Sequence, residues 1–93
     1  MPAYLIVTVT YEDLGWTEAY RRDVPAIIAA HGGRYLARSG KPERLEGAGE
    51  MPHTVAILEF PTAEAARGML ADPAYQPYAQ ARQAGAQTTM DLI

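Results

Sequence analysis

The sequence predicts an α+β fold in which helices cover one face of a four-stranded antiparallel sheet. Three observations carry this. The stretch Thr54 to Leu70, TVAILEFPTAEAARGML, passes from an apolar strand through a proline into a helix start. Ala3 to Tyr11 alternates, with Leu5, Val7 and Val9 on one face and Tyr4, Ile6 and Thr8 on the other. From Trp16 to His31, bulky residues recur at steps of three and four, the spacing of one helical face. Taken through to the C-terminus, the order is β-α-β-β-α-β, the split βαβ arrangement of ferredoxin-like folds.

The first strand, Ala3 to Tyr11, has no charge on either face, so both faces are expected to be covered. Glu12 to Gly15 is a turn. In the helix that follows, Trp16, Tyr20, Val24, Ile27, Ile28 and His31 form the stripe. Pro25 is expected to kink or split it, with Asp23 able to cap a second segment. Gly32 and Gly33 supply the stop, since glycine takes the left-handed conformation that closes a helix. Arg34 to Gly40, RYLARSG, is the second strand, with Arg34, Leu36 and Arg38 on one face and Tyr35 and Ala37 on the other. Lys41 to Pro52 is long for a hairpin connection, so it either extends both strands or folds over the sheet edge.

Thr54 to Phe60 is the third strand, ended by Pro61, which has no N–H for a sheet ladder. Thr62 is placed to accept the free N–H groups of the next helix, and Glu64 sits where the helix dipole favours a negative charge. That helix buries Ala65, Ala66, Met69 and Leu70 and ends at Asp72–Pro73. Pro77 then divides the segment to Gly85 into a turn and a short helix. Gln87 to Ile93 is the last strand, with Thr88, Met90 and Leu92 alternating against Thr89 and Asp91.

Two helices cover only one sheet face. Ile6, Tyr4, Met90 and Leu92, or their alternates, are left for the other. Such a patch is rarely left open, and a homodimer with sheets packed face to face is the simplest cover. A chain of 93 residues, expected to form one domain over residues 1–93, has a core only just large enough to stand alone. Pairing is consistent with that.

Composition narrows the function. Apolar residues make up 48% and charged residues 20%, as in an ordinary water-soluble domain. No run of apolar residues is long enough to span a membrane. MPAYLIVTVT reads as a strand and not a signal peptide, so the expected location is cytoplasmic. The absence of cysteine excludes disulfides, thiol nucleophiles and thiolate metal sites. With a net charge of −3 and dispersed basic residues, no nucleic-acid stripe is present beyond the pair Arg21–Arg22.

The blocks GGRYLARSG at Gly32 to Gly40, LEG at Leu45 to Gly47 and AILEFPTAEAARGML at Ala56 to Leu70, with the spacing of Tyr75 and Arg82, resemble a bacterial family. That family is known only as domain of unknown function thirteen-thirty. The likeness covers nearly the whole chain. It implies the dimeric α/β-barrel superfamily, in agreement with the dimer argued from apolar faces, and implies no reaction. Superfamily members include cofactor-free quinol or polyketide monooxygenases, haem-degrading enzymes, lactone isomerases and small-ligand sensors, and fold alone does not choose among them. The haem-degrading members use an asparagine beside a tryptophan and a histidine. This chain contains no asparagine. Met69 replaces an aromatic residue common in the family, and Pro77 interrupts a segment that is usually helical.

Glu59 is the leading candidate for chemistry, because it shares a strand face with Val55 and Ile57 and a carboxylate among apolar groups must be paired or protonated. It serves either as a general base or polar anchor, or as the partner of Arg38 or Arg34. Arg38 can grip a carboxylate with two prongs, either a ligand's or that of Glu59 or Glu46. Arg82 either reaches the same cleft or lies on a solvated helix face. His31 is a helix-end cap or an acid–base group. His53 has no companion at metal-ligand spacing, so no metal is expected. Trp16, Tyr20, Tyr35, Tyr75 and Tyr78 either line a pocket or form plain core. Ser39, the only serine, carries no mark of a nucleophile. The reading is a small homodimer that binds an organic ligand between sheet and helices through Arg38, Glu59, Tyr35, Tyr75 and Arg82. If it is catalytic, the chemistry is cofactor-free oxygenation or proton transfer with Glu59 or His31 as base. The competing reading is a structural or interaction module with a filled core.

Overall fold

A computed structural model describes residues 1–93. Its elements run β1 (Ala3–Tyr11), α1 (Thr17–Ala30), β2 (Arg34–Ser39), β3 (Thr54–Phe60), α2 (Ala63–Ala71), α3 (Gln76–Gly85) and β4 (Ala86–Leu92). The strands form one antiparallel sheet in the order β2-β3-β1-β4, so the fold is the ferredoxin-like arrangement. The second helical unit is two helices, α2 and α3, because Asp72–Pro73 ends the first and Pro77 sits in the opening turn of the second.

Helix boundaries follow local chemistry. The Thr62 hydroxyl accepts from the Ala65 N–H at 3.0 Å, and Glu64 occupies the first turn of α2. Gly32 closes α1 at φ 77°, a left-handed conformation, while the Gly33 N–H donates back to the Ile28 carbonyl at 2.9 Å. The expected break at Pro25 does not occur, and α1 runs through it. Pro25 and Arg21, whose carbonyl loses its helical partner, are both exposed residues, so water can replace the missing bond. Asp23 caps nothing. Its carboxylate accepts from the Arg22 guanidinium at 2.9 and 3.1 Å and from the Tyr78 hydroxyl at 2.7 Å, which ties α1 to α3. Segment 41–52 extends neither strand. The Arg44 guanidinium holds it through the Ala48 and Gly49 carbonyls.

The register decides which face is core. Leu5 pairs with Leu58 and Val7 with Ala56, and all four are buried beneath the helices. Phe60 and Val24 are fully buried in the same layer. A side chain such as Phe60 contributes roughly 1.5–3 kcal/mol by leaving water. Met90 pairs with Val7 and Leu92 with Leu5, so both belong to this helix-covered face. The bare face carries their alternates, Thr89 and Asp91, with Tyr4, Ile6, Val55 and Ile57 half-exposed beside them.

The simple alternation expected for β2 is overturned. A bulge at Leu36 shifts the register, so Tyr35 pairs with Leu58 and Arg38 with Ala56, while Arg34 pairs with Glu59 and Ala37 with Ile57. Arg34 and Arg38 therefore lie on opposite faces. Arg38 and Tyr35 share the helix-covered face.

Candidate functional site

The helices do not seal the sheet completely. Between the helix-covered face and the N-terminal half of α1 lies a partly open cavity, in which the centre of a water molecule could move through about 70 Å³. One water needs roughly 10–15 Å³ of such space, so the cavity is large enough for several waters or a small ring. Fourteen of its nineteen lining residues are apolar or aromatic, which suits an organic guest better than an ion alone.

One wall is an aromatic run. Tyr11 and Trp16 have ring centroids 5.9 Å apart. Trp16 meets Tyr20 edge-on at 5.4 Å, and Tyr20 meets Tyr75 at 6.1 Å. The helical step of four places Trp16 and Tyr20 one above the other. Gly85 lets the indole lie against the start of β4, because a Cβ there would clash with the Cδ1–Nε1 edge of the Trp16 ring. The hydroxyls of Tyr20 and Tyr75 are 2.6 Å apart and hydrogen-bonded. Burial, then the neighbouring Tyr75, raises the Tyr20 hydroxyl far above the usual tyrosine range, so it keeps its proton at any ordinary pH. Tyr35, although 41% exposed, is raised too, first by the desolvation of its covered part, with the nearby Arg38 charge working against it.

The remaining polar lining is Thr17, Thr54 and three arginines, Arg21, Arg38 and Arg82. No aspartate, glutamate or histidine lines the cavity. Arg82 is only 7% exposed, and its Nε has no hydrogen-bond partner. The Trp16 Nε1 is buried and unpartnered as well. The three ion pairs of the chain join Arg22 to Asp23, His31 to Asp72 and Arg34 to Glu59, and none involves a cavity arginine.

Four of the expected ligand-binding residues, Arg38, Tyr35, Tyr75 and Arg82, thus line one cavity. Glu59 does not. It faces the bare side of the sheet, where its Oε1 accepts from the Arg34 Nε at 3.0 Å. His31 does not line the cavity either. Its Nε2 is 2.8 Å from the Asp72 Oδ2, linking the ends of α1 and α2, and this contact, with the Ala74 N–H, holds the Asp72 carboxyl below the usual carboxylate range. Tyr78 lies outside, bonded to Asp23. Sequence reasoning missed Tyr11, Arg21, Thr17 and Met90. Tyr11 was accessible to it, since it continues the Val7–Val9 face. Arg21 carries no such signal, because it sits one position beyond Tyr20 at the edge of the helical stripe. His53 accepts from the Tyr11 N–H through Nδ1 at 3.0 Å and stacks on the Tyr11 ring. No three of the chain's histidines and acids come together as a metal-ligand set, and no helix is long and apolar enough to cross a membrane.

Comparison with solved structures bears out the fold. The chain is similar to a protein of unknown function from Rhodopseudomonas palustris, with a TM-score of 0.84 at 22% identity, covering 99% of this chain and 80% of that one. It is similar also to SnoaB, a cofactor-independent oxygenase from Streptomyces nogalater, with a TM-score of 0.70 at 20% identity, covering 99% of this chain and 90% of that one. A hypothetical Arabidopsis thaliana protein matches with a TM-score of 0.65 at 14% identity, covering 99% and 86%. At these identities the likeness is one of fold. No curated protein matches the sequence. The family described as domain of unknown function (DUF1330) matches residues 2–93, and the chain, a ferredoxin-like α+β fold, belongs to that family.

Proposed function

We propose that the protein binds a small planar organic molecule in the cavity between its sheet and helices, and that it does so as a homodimer closed over the bare sheet face. The carrying observation is the cavity itself: a mostly apolar chamber with an aromatic wall, whose lining residues Trp16 and Arg82 each bury a nitrogen that has no partner. Chambers of this kind are the usual form of a ligand site. A filled interior would have favoured the interaction module, and the open cavity weighs against it. Half-exposed Tyr4, Ile6, Val55 and Ile57 support a second copy as the cover of the other face. Native mass spectrometry of the protein as purified tests both parts. The expected result is a mass of two chains with a reproducible small adduct. A bare monomer would remove the dimer, and failure to bind any aromatic compound in titrations would remove the pocket.

The second reading makes the same cavity a reaction chamber for cofactor-free oxygenation or proton transfer. The fold likeness to SnoaB, a cofactor-independent oxygenase, favours it. Glu59 and His31 were the expected bases, and both lie outside the cavity lining. The Tyr20–Tyr75 pair and Arg82 are the groups available to a substrate there, and they act as proton holders and charge stabilisers rather than as a base. Oxygen uptake by the protein with dihydroxynaphthalenes tests this reading. Uptake no faster than without protein would remove it and leave the binder.

A further inference from the structure

The polar groups of the cavity share a property that neither reading uses. Arginine and tryptophan nitrogens donate hydrogen bonds and accept none. Arg21, Arg38 and Arg82 line the cavity, the Arg82 Nε and Trp16 Nε1 are buried without partners, and no acid faces them. In the Tyr20–Tyr75 pair one hydroxyl donates to the other, which leaves the second proton free to donate into the chamber. Outside the two threonines and the tyrosine oxygens, the polar inventory consists of donors and positive charge. Thr88 Oγ1, the third unpartnered buried atom, belongs to β4 and not to the cavity lining.

A buried guanidinium without a counter-charge is costly to desolvate, and proteins ordinarily supply a carboxylate for it. Here the chain supplies none, although Glu59 neutralises Arg34 on the other side of the same sheet. We infer that the ligand brings the missing charge: it is a planar aromatic anion, its ring against the Trp16–Tyr20–Tyr75 wall and its carboxylate or phenolate oxygen at Arg82, with Arg38 closing from β2. This rests on the pocket proposed above and adds its substrate class. An Arg38 reoriented by the Leu36 bulge fits the same role, since without the shifted register the sequence alternation would have pointed it to the other face.

Matched probes that differ only in charge test this. Calorimetric or fluorescence titration at neutral pH and low salt would compare 2-naphthoate with 2-naphthalenemethanol and 2-naphthylmethylammonium, and benzoate with benzyl alcohol. The anion of each set is expected to bind on the order of 10- to 100-fold more tightly than its neutral partner, as charge-assisted hydrogen bonds warrant. The ammonium probe is expected to bind weakest. In Arg82→Met that preference should shrink to within roughly threefold, with a smaller loss in Arg38→Met. Should Arg82→Met fail to fold, Arg38→Met still reads the effect. Equal affinity for anion and neutral partner, or a preference untouched by both variants, overturns the inference while leaving the pocket standing. Binding by none of the probes overturns the pocket reading, and this one with it.

Discussion

The two faces of the sheet handle their arginines differently. On the bare face, Arg34 is largely exposed and still bonded to Glu59 at 3.0 Å. On the helix-covered face, Arg82 is buried with its Nε unpartnered, while Arg38 and Arg21, exposed residues that also line the cavity, meet no acid, and Arg21 donates to the Thr17 hydroxyl. Solvent screening makes the Arg34 pair worth little. Burial makes the lack of a partner at Arg82 expensive. A fold selected for stability alone would place the carboxylate on the other side. The asymmetry is the physical reason for reading the covered face as functional and the bare-face ion pair as structural.

Variants that break the covered face should have the largest effects. Gly85→Val puts a branched side chain where the Trp16 indole lies, and the ring must leave the aromatic wall. Overpacking of this kind costs about 1–3 kcal/mol, with loss of the wall adding to it. A lowered denaturation midpoint and a red-shifted emission of the single tryptophan are expected. Unchanged emission would mean that Trp16 is not held by Gly85. Arg82→Met goes the other way. It removes an unpaired buried charge and keeps the volume, so stability without ligand should rise by about 1–3 kcal/mol, read from chemical denaturation. A clear fall in stability would show that Arg82 supports the fold.

The sequence revealed the elements far better than the faces. Pro61, the Thr62 cap and the Gly32 stop are local signals. They predicted the bounds of β3, the start of α2 and the end of α1, because each acts through bonds within a few residues. Pro25 misleads, because whether a proline breaks a helix depends on whether water can reach the carbonyl it orphans, and here both Pro25 and Arg21 are exposed. Glu59 was rightly grouped with Val55 and Ile57. Which face of β3 the helices cover was a tertiary matter, since Ala56, Leu58 and Phe60 are equally apolar in sequence. The Leu36 bulge left no mark in RYLARS, and it alone moves Arg38 from the face of Arg34 to the cavity. Arg38, Tyr35, Tyr75 and Arg82 therefore share one cavity, while of the two partners expected for Glu59 it is Arg34, not Arg38, that meets it.

Variants on the structural side sharpen the contrast by doing little. Glu59→Gln keeps an acceptor for Arg34 and should change stability by less than about 1 kcal/mol, with naphthoate affinity unchanged. A weakened affinity would return Glu59 to the ligand site. The smallest effect is expected at the His31–Asp72 link. His31, followed by the Ala74 N–H, holds the Asp72 carboxyl below its ordinary value in the folded chain. A depressed folded value means that the stabilisation is present above the unfolded carboxylate value and is lost as pH falls through the folded one. The thermal midpoint of the wild type should therefore drop on acidification below about pH 4, and Asp72→Asn should flatten that drop. Asp23, lowered by Arg22 and then by Tyr78, contributes in the same sense. Some acid slope should thus survive in Asp72→Asn and disappear only when Asp23→Asn is added. If Asp72→Asn follows the wild type at every pH, the link between α1 and α2 is a contact that folding does not depend on, and the only consequential polar groups of the covered side are those inside the cavity.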